Sequence, residues 1–409
     1  MKQSKKTPIL VGLLALFGLW LALTAPATTA LLQTKADTDL LALPSVPLDV
    51  PLVSWIAFAV ALLGAALVSW QVLLKNQKAA GWVAPLAGFG LVFALLCKLY
   101  AGQTLTITAL LQGTLALAVP LIFGSLAGVM SERVGVVNIA IEGQLLAGAF
   151  VSAFVGSLTQ NLWLGVLVAA IAGALVSLTL AAFAIKYVVD QIIVGVVLNV
   201  LVIGLTNFMF TTMMSSDLIK YNSPPRFDQV LIPVLGQIPV LGPVLFNQTP
   251  IVYLMYLAVA AVWFVLFKTR WGLRVRAVGE YPKAADTVGI KVYRTRYLAV
   301  LVGGALAGLG GTFFTLGQVG SFGKEMTSGA GYIALAALIF GRWNPIYAAL
   351  AALLFGFAQN LQYGLAIIGS PVPSEFLLML PYALTVVAVA GLVGKVTGPA
   401  AAGKPYLKS

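Results

Sequence analysis

The sequence predicts an all-α polytopic membrane protein, and three observations predict it. Hydrophobic residues make up 60% of the 409-residue chain and charged residues only 9%, against roughly a quarter charged in a soluble domain. The apolar residues come in continuous runs rather than in alternation, which excludes a porin-like barrel. The basic residues fall almost entirely between alternate runs. A soluble fold of this size has no interior large enough for so much apolar surface. Lipid accepts it, and because no water is there to satisfy backbone groups, each run must be helical.

About twelve apolar segments follow in order, at 8–32, 51–74, 82–99, 106–130, 135–157, 162–185, 192–213, 250–267, 297–318, 328–341, 345–368 and 376–394. Lys2, Lys5 and Lys6 place the N-terminus in the cytoplasm. Twelve crossings return the C-terminus, with Lys395, Lys404 and Lys408, to the same side. Lys75, Lys78, Arg133, Lys186 and Arg342 then also fall inside. So does the run Lys268, Arg270, Arg274, Arg276, Lys283, Lys291, Arg294 and Arg296, making 19 of the 24 basic residues. Asp37, Asp39, Asp49, Asp217, Asp228 and Glu375 fall on the other face. The first 30 residues also resemble a signal peptide, with Ala25-Pro26-Ala27 and Ala30 after a basic start and an apolar run. The reading adopted is a retained first helix, and cleavage would leave the remaining topology unchanged. The external segment 214–249 is rich in proline (Pro224, Pro225, Pro233, Pro239, Pro243) and is expected to form a short interfacial helix or a cap.

The net charge of +12 is accounted for by this placement, so it does not argue for a nucleic-acid partner. A single cysteine, Cys97, forms no internal disulfide and reads as a packed helix residue. Without histidine the chain lacks the usual metal ligand and general base. Gly317 to Lys324 superficially resembles a phosphate-binding loop, but its glycine spacing is off by one and Glu325 stands where Ser or Thr is required. No ATP site of the chain's own is visible.

Segments 135–157 and 328–341 read either as full spans or as re-entrant half-helices. Glu142 lies deep in the first, and a lone carboxylate in the bilayer must face a cavity or a partner. Asn138 and Glu142 share a helical face, and with Gln144 and Asn199 they are assigned to the lining of a translocation path. The alternative is that Glu142 pins a broken helix through backbone amides. The polar stretch Ser321 to Gly329 precedes a run too short to span comfortably, which suggests a half-helix whose N-terminus near Thr327 and Ser328 points into the membrane. Phe322, as a stacking surface, and Glu325 join the candidate path. An ordinary external loop is the alternative. Leu145 to Val176 and Leu335 to Gly356 each read as two Ala/Gly-rich helices around a short polar break. Parity gives them opposite orientations, the mark of an inverted repeat.

Segment 268–296 carries eight basic and two acidic residues, more than anchoring two helices needs. Pro282 suits a first helical turn, Ala284 and Ala285 favour helix, and Gly289 ends it. Residues 279–290 are expected to form a short helix under the membrane that plugs a groove in a soluble partner. A basic loop held on anionic lipid is the other reading.

Gly279, Glu280, Pro282, Ala284, Ala285 and Gly289-Ile290 resemble the coupling-helix signature of ABC importer permeases. Residues 132–143, Glu-Arg-Val-Gly-Val-Val-Asn-Ile-Ala-Ile-Glu-Gly, and Phe340 to Pro345 resemble the branch containing branched-chain amino acid, ribose and nucleoside permeases, closest to the nucleoside and simple-sugar group. The resemblance covers residues 106–394. It implies a type II importer fold: a permease core at 106–394, with the coupling loop 268–296 inside it and a cytoplasmic tail at 395–409. Residues 1–105, with about three extra helices, lie outside that core. It also implies a bacterial cell-membrane protein with no catalytic residues, no metal and no cofactor of its own. Its partners would be an ATPase subunit carrying ATP and Mg, a second permease forming a heterodimer with this one, and an extracytoplasmic substrate-binding lipoprotein. The function expected is import of nucleosides by alternating access, the alternative being simple sugars or another solute of the same family. An ion-coupled secondary transporter also uses inverted repeats, but it usually needs intramembrane acids or histidines, and only Glu142 and Glu325 qualify.

Overall fold

The computed structural model describes residues 6–34, 44–75, 77, 80–367, 379 and 397–407. The expected segment at 376–394 therefore lies outside the described residues. Among those described, eight helices are long and apolar enough to cross a membrane, and three shorter apolar helices accompany them at Thr7–Leu23, Val83–Leu99 and Ala330–Phe340. The chain divides into two compact units.

The first unit comprises 1–110, 233–245 and 367–371. Helices α1 (Lys6–Leu23), α2 (Val50–Ser69) and α3 (Val83–Leu99) pack on an Ala- and Leu-rich seam of Ala15, Leu21, Ala57, Ala61, Ala87 and Leu91. Gly18 permits a close approach of α1 and α2, since a Cβ there would meet the Phe58 backbone at 3.2 Å. Asp49 starts α2 by accepting a hydrogen bond from the Leu52 amide at 2.9 Å. A small sheet, β1 (Thr29–Gln33), β2 (Val46–Asp49) and β3 (Thr104–Thr106), has β1 in the middle, antiparallel to β2 and parallel to β3.

The second unit comprises 111–232, 246–366 and 372–409. Helix α4 (Ile107–Glu132) leads into α5 (Ile141–Thr159), α6 (Leu162–Ala181) and α7 (Gln191–Thr212). The long segment 214–249 contributes a single helical turn, α8 (Leu218–Tyr221), and short strands β4 (Val230–Leu231) and β5 (Asn247–Gln248), which pair antiparallel. Then come α9 (Pro250–Lys268), α10 (Arg270–Glu280), α11 (Pro282–Thr287), α12 (Val292–Thr312), α13 (Ala330–Phe340) and α14 (Pro345–Ile367). Polar side chains cap three of these helices: Asn161 accepts from Leu164 N, Asp190 from Ile192 N and Ile193 N, and Thr269 from Gly272 N. Prolines open α9, α11 and α14.

Helices α5, α6 and α12 form the centre of this unit, and they meet backbone to backbone. A Cβ on Gly308 would lie 2.1 Å from the Ala169 carbonyl, one on Gly173 2.2 Å from the Gly304 carbonyl, and one on Gly311 2.1 Å from the Leu145 carbonyl. Lipid tails give no hydrophobic incentive for helices to associate, so close van der Waals contact through small residues supplies the association energy. The two polar breaks singled out in the sequence both contain left-handed residues, one in the first and two in the second. Gln160 turns left-handed (φ 52°) between α5 and α6, and Arg342 and Trp343 (φ 51° and 54°) do so between α13 and α14.

Candidate functional site

The 133–140 break is built from its glycine outward. At the end of α4 the Gly135 amide donates to the Glu132 carbonyl and the Val136 amide to the Ser131 carbonyl, the pattern of a helix stop closed by a left-handed residue. Gly135 supplies that conformation at φ 91°. A Cβ there would also meet Ala401 O and the Arg296 guanidinium, each at 3.1 Å. The chain re-enters a helix at Ile141, which places Asn138, Glu142 and Gln144 around the break.

Every one of these polar groups is partnered inside the chain. Asn138 and Gln144 exchange reciprocal amide hydrogen bonds at 3.1 and 3.0 Å, with both residues fully buried. Asn199 accepts from the Gly143 amide at 2.8 Å and donates to the Ile139 carbonyl and the Tyr332 hydroxyl at 2.9 and 3.1 Å. The Glu142 carboxylate, 5% exposed, accepts from Thr327 Oγ1 at 2.7 Å, Gly329 N at 2.8 Å and Gly331 N at 2.6 Å. Those groups form the N-terminus of α13. A Cβ on Gly331 would lie 2.4 Å from Glu142 N, so the first turns of α5 and α13 touch, and one carboxylate serves the positive end of the second.

A second glutamate, which the sequence reading passed over, holds the other end of α13. Glu132, 7% exposed, accepts from Trp343 Nε1 at 2.5 Å. Arg133 Nε donates to the Trp343 carbonyl at 2.8 Å. Burial draws the Arg133 guanidinium below its ordinary range, with Glu280 opposing and Arg276 reinforcing the shift. Helix α13 is thus clamped at both ends by residues on either side of one break. The signal was present in the phrases 132–143 and 340–345, but neither reveals that they meet.

Phe322 is buried at 2%, its ring edge-on to Phe150 at 5.2 Å and near Phe210 at 6.0 Å. Its backbone is held by Asn222, whose amide accepts from Phe322 N at 2.7 Å and donates to Phe322 O at 2.9 Å. The ring therefore sits in the packing between α5 and α7. Glu325 is exposed, at φ 54°, and accepts from Asn207 Nδ2 at 3.1 Å.

The coupling loop is more divided than one helix over 279–290. Gly279 and Glu280 close α10, the chain turns at Tyr281, α11 spans six residues, and Gly289 leaves it at φ 83°. Gly279 is buried, and a Cβ there would meet the Arg133 carbonyl at 2.0 Å. The alanine pair is split: Ala285 is 4% exposed and faces its own chain, while Ala284 is exposed. Ile290 N donates to the Ala285 carbonyl at 3.0 Å. The C-terminal residues 397–407 brace this region, with Ala401 N donating to Gly279 O at 2.9 Å and Tyr293 OH to Tyr406 O at 3.3 Å. Between α10 and the start of α12 lies an 880 Å³ groove bearing Arg270, Arg274, Lys291 and Arg294.

A short apolar helix held at both ends by buried carboxylates, and a basic loop between two helices of membrane-spanning length, place the chain among polytopic membrane proteins. The chain belongs to the family described as branched-chain amino acid transport system / permease component, whose model matches residues 110–389. It is 44% identical over 318 residues to the guanosine ABC transporter permease protein NupQ of Bacillus subtilis, covering 74% of this chain and 97% of that one. It is 40% identical over 317 residues to the nucleoside ABC transporter permease protein NupC of Lactococcus lactis, covering 74% and 98%. A putative glucose ABC transporter permease protein, TsgC13 of Haloferax volcanii, is 36% identical over 257 residues, covering 62% and 76%. No solved structure matches.

Proposed function

We propose that this chain is a permease subunit of an ATP-driven importer of nucleosides. The observation that carries this is its similarity, over nearly their whole length, to permeases named for guanosine and for nucleosides. The same two organisms each contribute a second, more distant relative, NupP at 27% and NupB at 25% identity. Such pairs support a heterodimer with a second permease. An ATPase on the cytoplasmic side and an extracytoplasmic binding lipoprotein complete the assembly.

The exposed face of α11, with Tyr281, Lys283, Ala284, Thr287 and Val288, is the surface offered to the ATPase. A push on α11 passes through α10 at Gly279 to Arg133, on to the 133–140 break, and through Glu142 to α13. Each step is a backbone contact or a hydrogen bond of under 3 Å. Such a line carries a displacement without slack, as alternating access of two opposed repeats requires. Asn138, Glu142, Gln144 and Asn199 keep the moving parts rigid beside the path.

The test is uptake of labelled guanosine and uridine by cells whose only nucleoside importer contains this chain, its paired permease, the ATPase and the binding protein. ATP-dependent accumulation is the expected result. A second reading, a sugar permease, is favoured by the Haloferax relative. Glucose accumulation without nucleoside uptake would establish it in place of the first.

A further inference from the structure

The second unit contains a cavity of about 420 Å³ bounded by α4, the wide-turn extension that continues α12 to Val319, the start of α13, and α14. We infer that this cavity is the contact site for an uncharged nucleoside during passage, an inference that rests on the nucleoside reading above. Its volume is in the range of small-molecule sites, roughly 300–1,000 Å³.

Four observations define what it takes. First, Gln318 and Gln359 line it, and among the described residues neither has a hydrogen-bond partner. Gln318 is exposed and Gln359 half-buried, so both amides are open to a solute entering the cavity, whereas the buried amides of Asn138, Gln144 and Asn199 are taken up by the protein itself. Second, Pro120 lies inside α4 and lines the cavity together with Ala116. Proline has no N–H to give the carbonyl four residues before it, so the helix leaves the Ala116 carbonyl without its intrahelical bond. At membrane depth such a group is tolerated where the cavity is polar or filled with water. Third, among the described residues no charged side chain lines the cavity. The N-terminus of α13, which would otherwise attract an anion, is already taken by Glu142 through Gly329 and Gly331. Fourth, Phe314 and Tyr363 offer aromatic faces. Amide donors and acceptors beside aromatic rings, with no charge, suit a heterocycle joined to a sugar. They do not suit a phosphorylated nucleotide, whose charge would find no partner.

The experiment uses the complete four-component transporter in cells without other nucleoside uptake. Gln318→Leu and Gln359→Leu each remove one hydrogen bond to the passing solute. Each is expected to lower the uptake efficiency for guanosine about tenfold, with the binding protein's affinity unchanged. Gln359→Asn, which withdraws the amide by one methylene, covers the case in which the leucine variant fails to reach the membrane. In a Cys97→Ala background, labelling of Gln359→Cys by a small thiol reagent should slow at least tenfold when guanosine and the loaded binding protein are present. Wild-type nucleoside uptake with all three glutamine variants within twofold of it, or with no protection of the cysteine, overturns the cavity assignment and leaves the proposed function standing. Sugar uptake in place of nucleoside uptake by the wild type overturns the function and the nucleoside assignment together.

Discussion

At the scale of single residues, two buried carboxylates hold the two ends of α13. Glu142 receives one hydroxyl and two backbone amides. A glutamine offers one acceptor oxygen and turns an NH₂ toward donors, so Glu142→Gln leaves buried N–H groups unpaired at about 1–3 kcal/mol each. The expected outcome is a lowered thermal-unfolding midpoint of the purified complex, with the KM for uptake nearly unchanged. A raised KM at unaltered stability would instead place the carboxylate on the solute's route. Glu132 and Trp343 form the second clamp. Trp343→Phe removes the indole donor and strands a buried acceptor, with an expected loss of about 1–3 kcal/mol. In a double-mutant cycle with Glu132→Gln the two losses should fail to add. Strict additivity would show that the contact contributes nothing.

At the scale of elements, α11 shows how burial sorts two adjacent and chemically identical residues. Ala285 is buried against its own chain and Ala284 is exposed. Ala284→Trp should leave the permease folded and in the membrane while abolishing the response of ATP hydrolysis to loaded binding protein. Ala285→Trp overpacks the permease itself and should lower its amount in the membrane. Equal behaviour of the two variants, or intact stimulated hydrolysis in Ala284→Trp, would remove α11 as the coupling element. The sequence marked the loop as unusual through its charge and its Pro-Ala-Ala-Gly spacing. Pro282 favours the extended turn at Tyr281, but which alanine faces outward was decided by how α11 packs against its own chain. The glycines of α6 and α12 make the same point. Composition reveals small residues, whereas only packing reveals that a Cβ on Gly308 would strike the Ala169 carbonyl. Gly308→Val is expected to leave little folded protein in the membrane, as measured by gel-filtration yield.

At the scale of the whole molecule, basic residues cluster in the 268–296 loop and predict that residue 280 is cytoplasmic and residue 225 external. With Cys97 replaced, single cysteines at those positions in whole cells should react with an impermeant maleimide at 225 and not at 280. The opposite pattern would invert the topology. The sequence by itself determined the membrane class and the helix start at Pro282. Hydropathy and proline placement are local properties, satisfied within one turn of the residue that carries them. The tertiary structure decided the partners of the polar residues. Glu142 meets Gly331 across 189 positions and Glu132 meets Trp343 across 211. In the apolar interior a polar group takes whatever partner the fold brings to it, and no sequence period encodes that choice. The same holds for Gln318 and Gln359. As sequence they are two more amides in apolar helices, and they are distinguished only because the packing leaves a space in front of them.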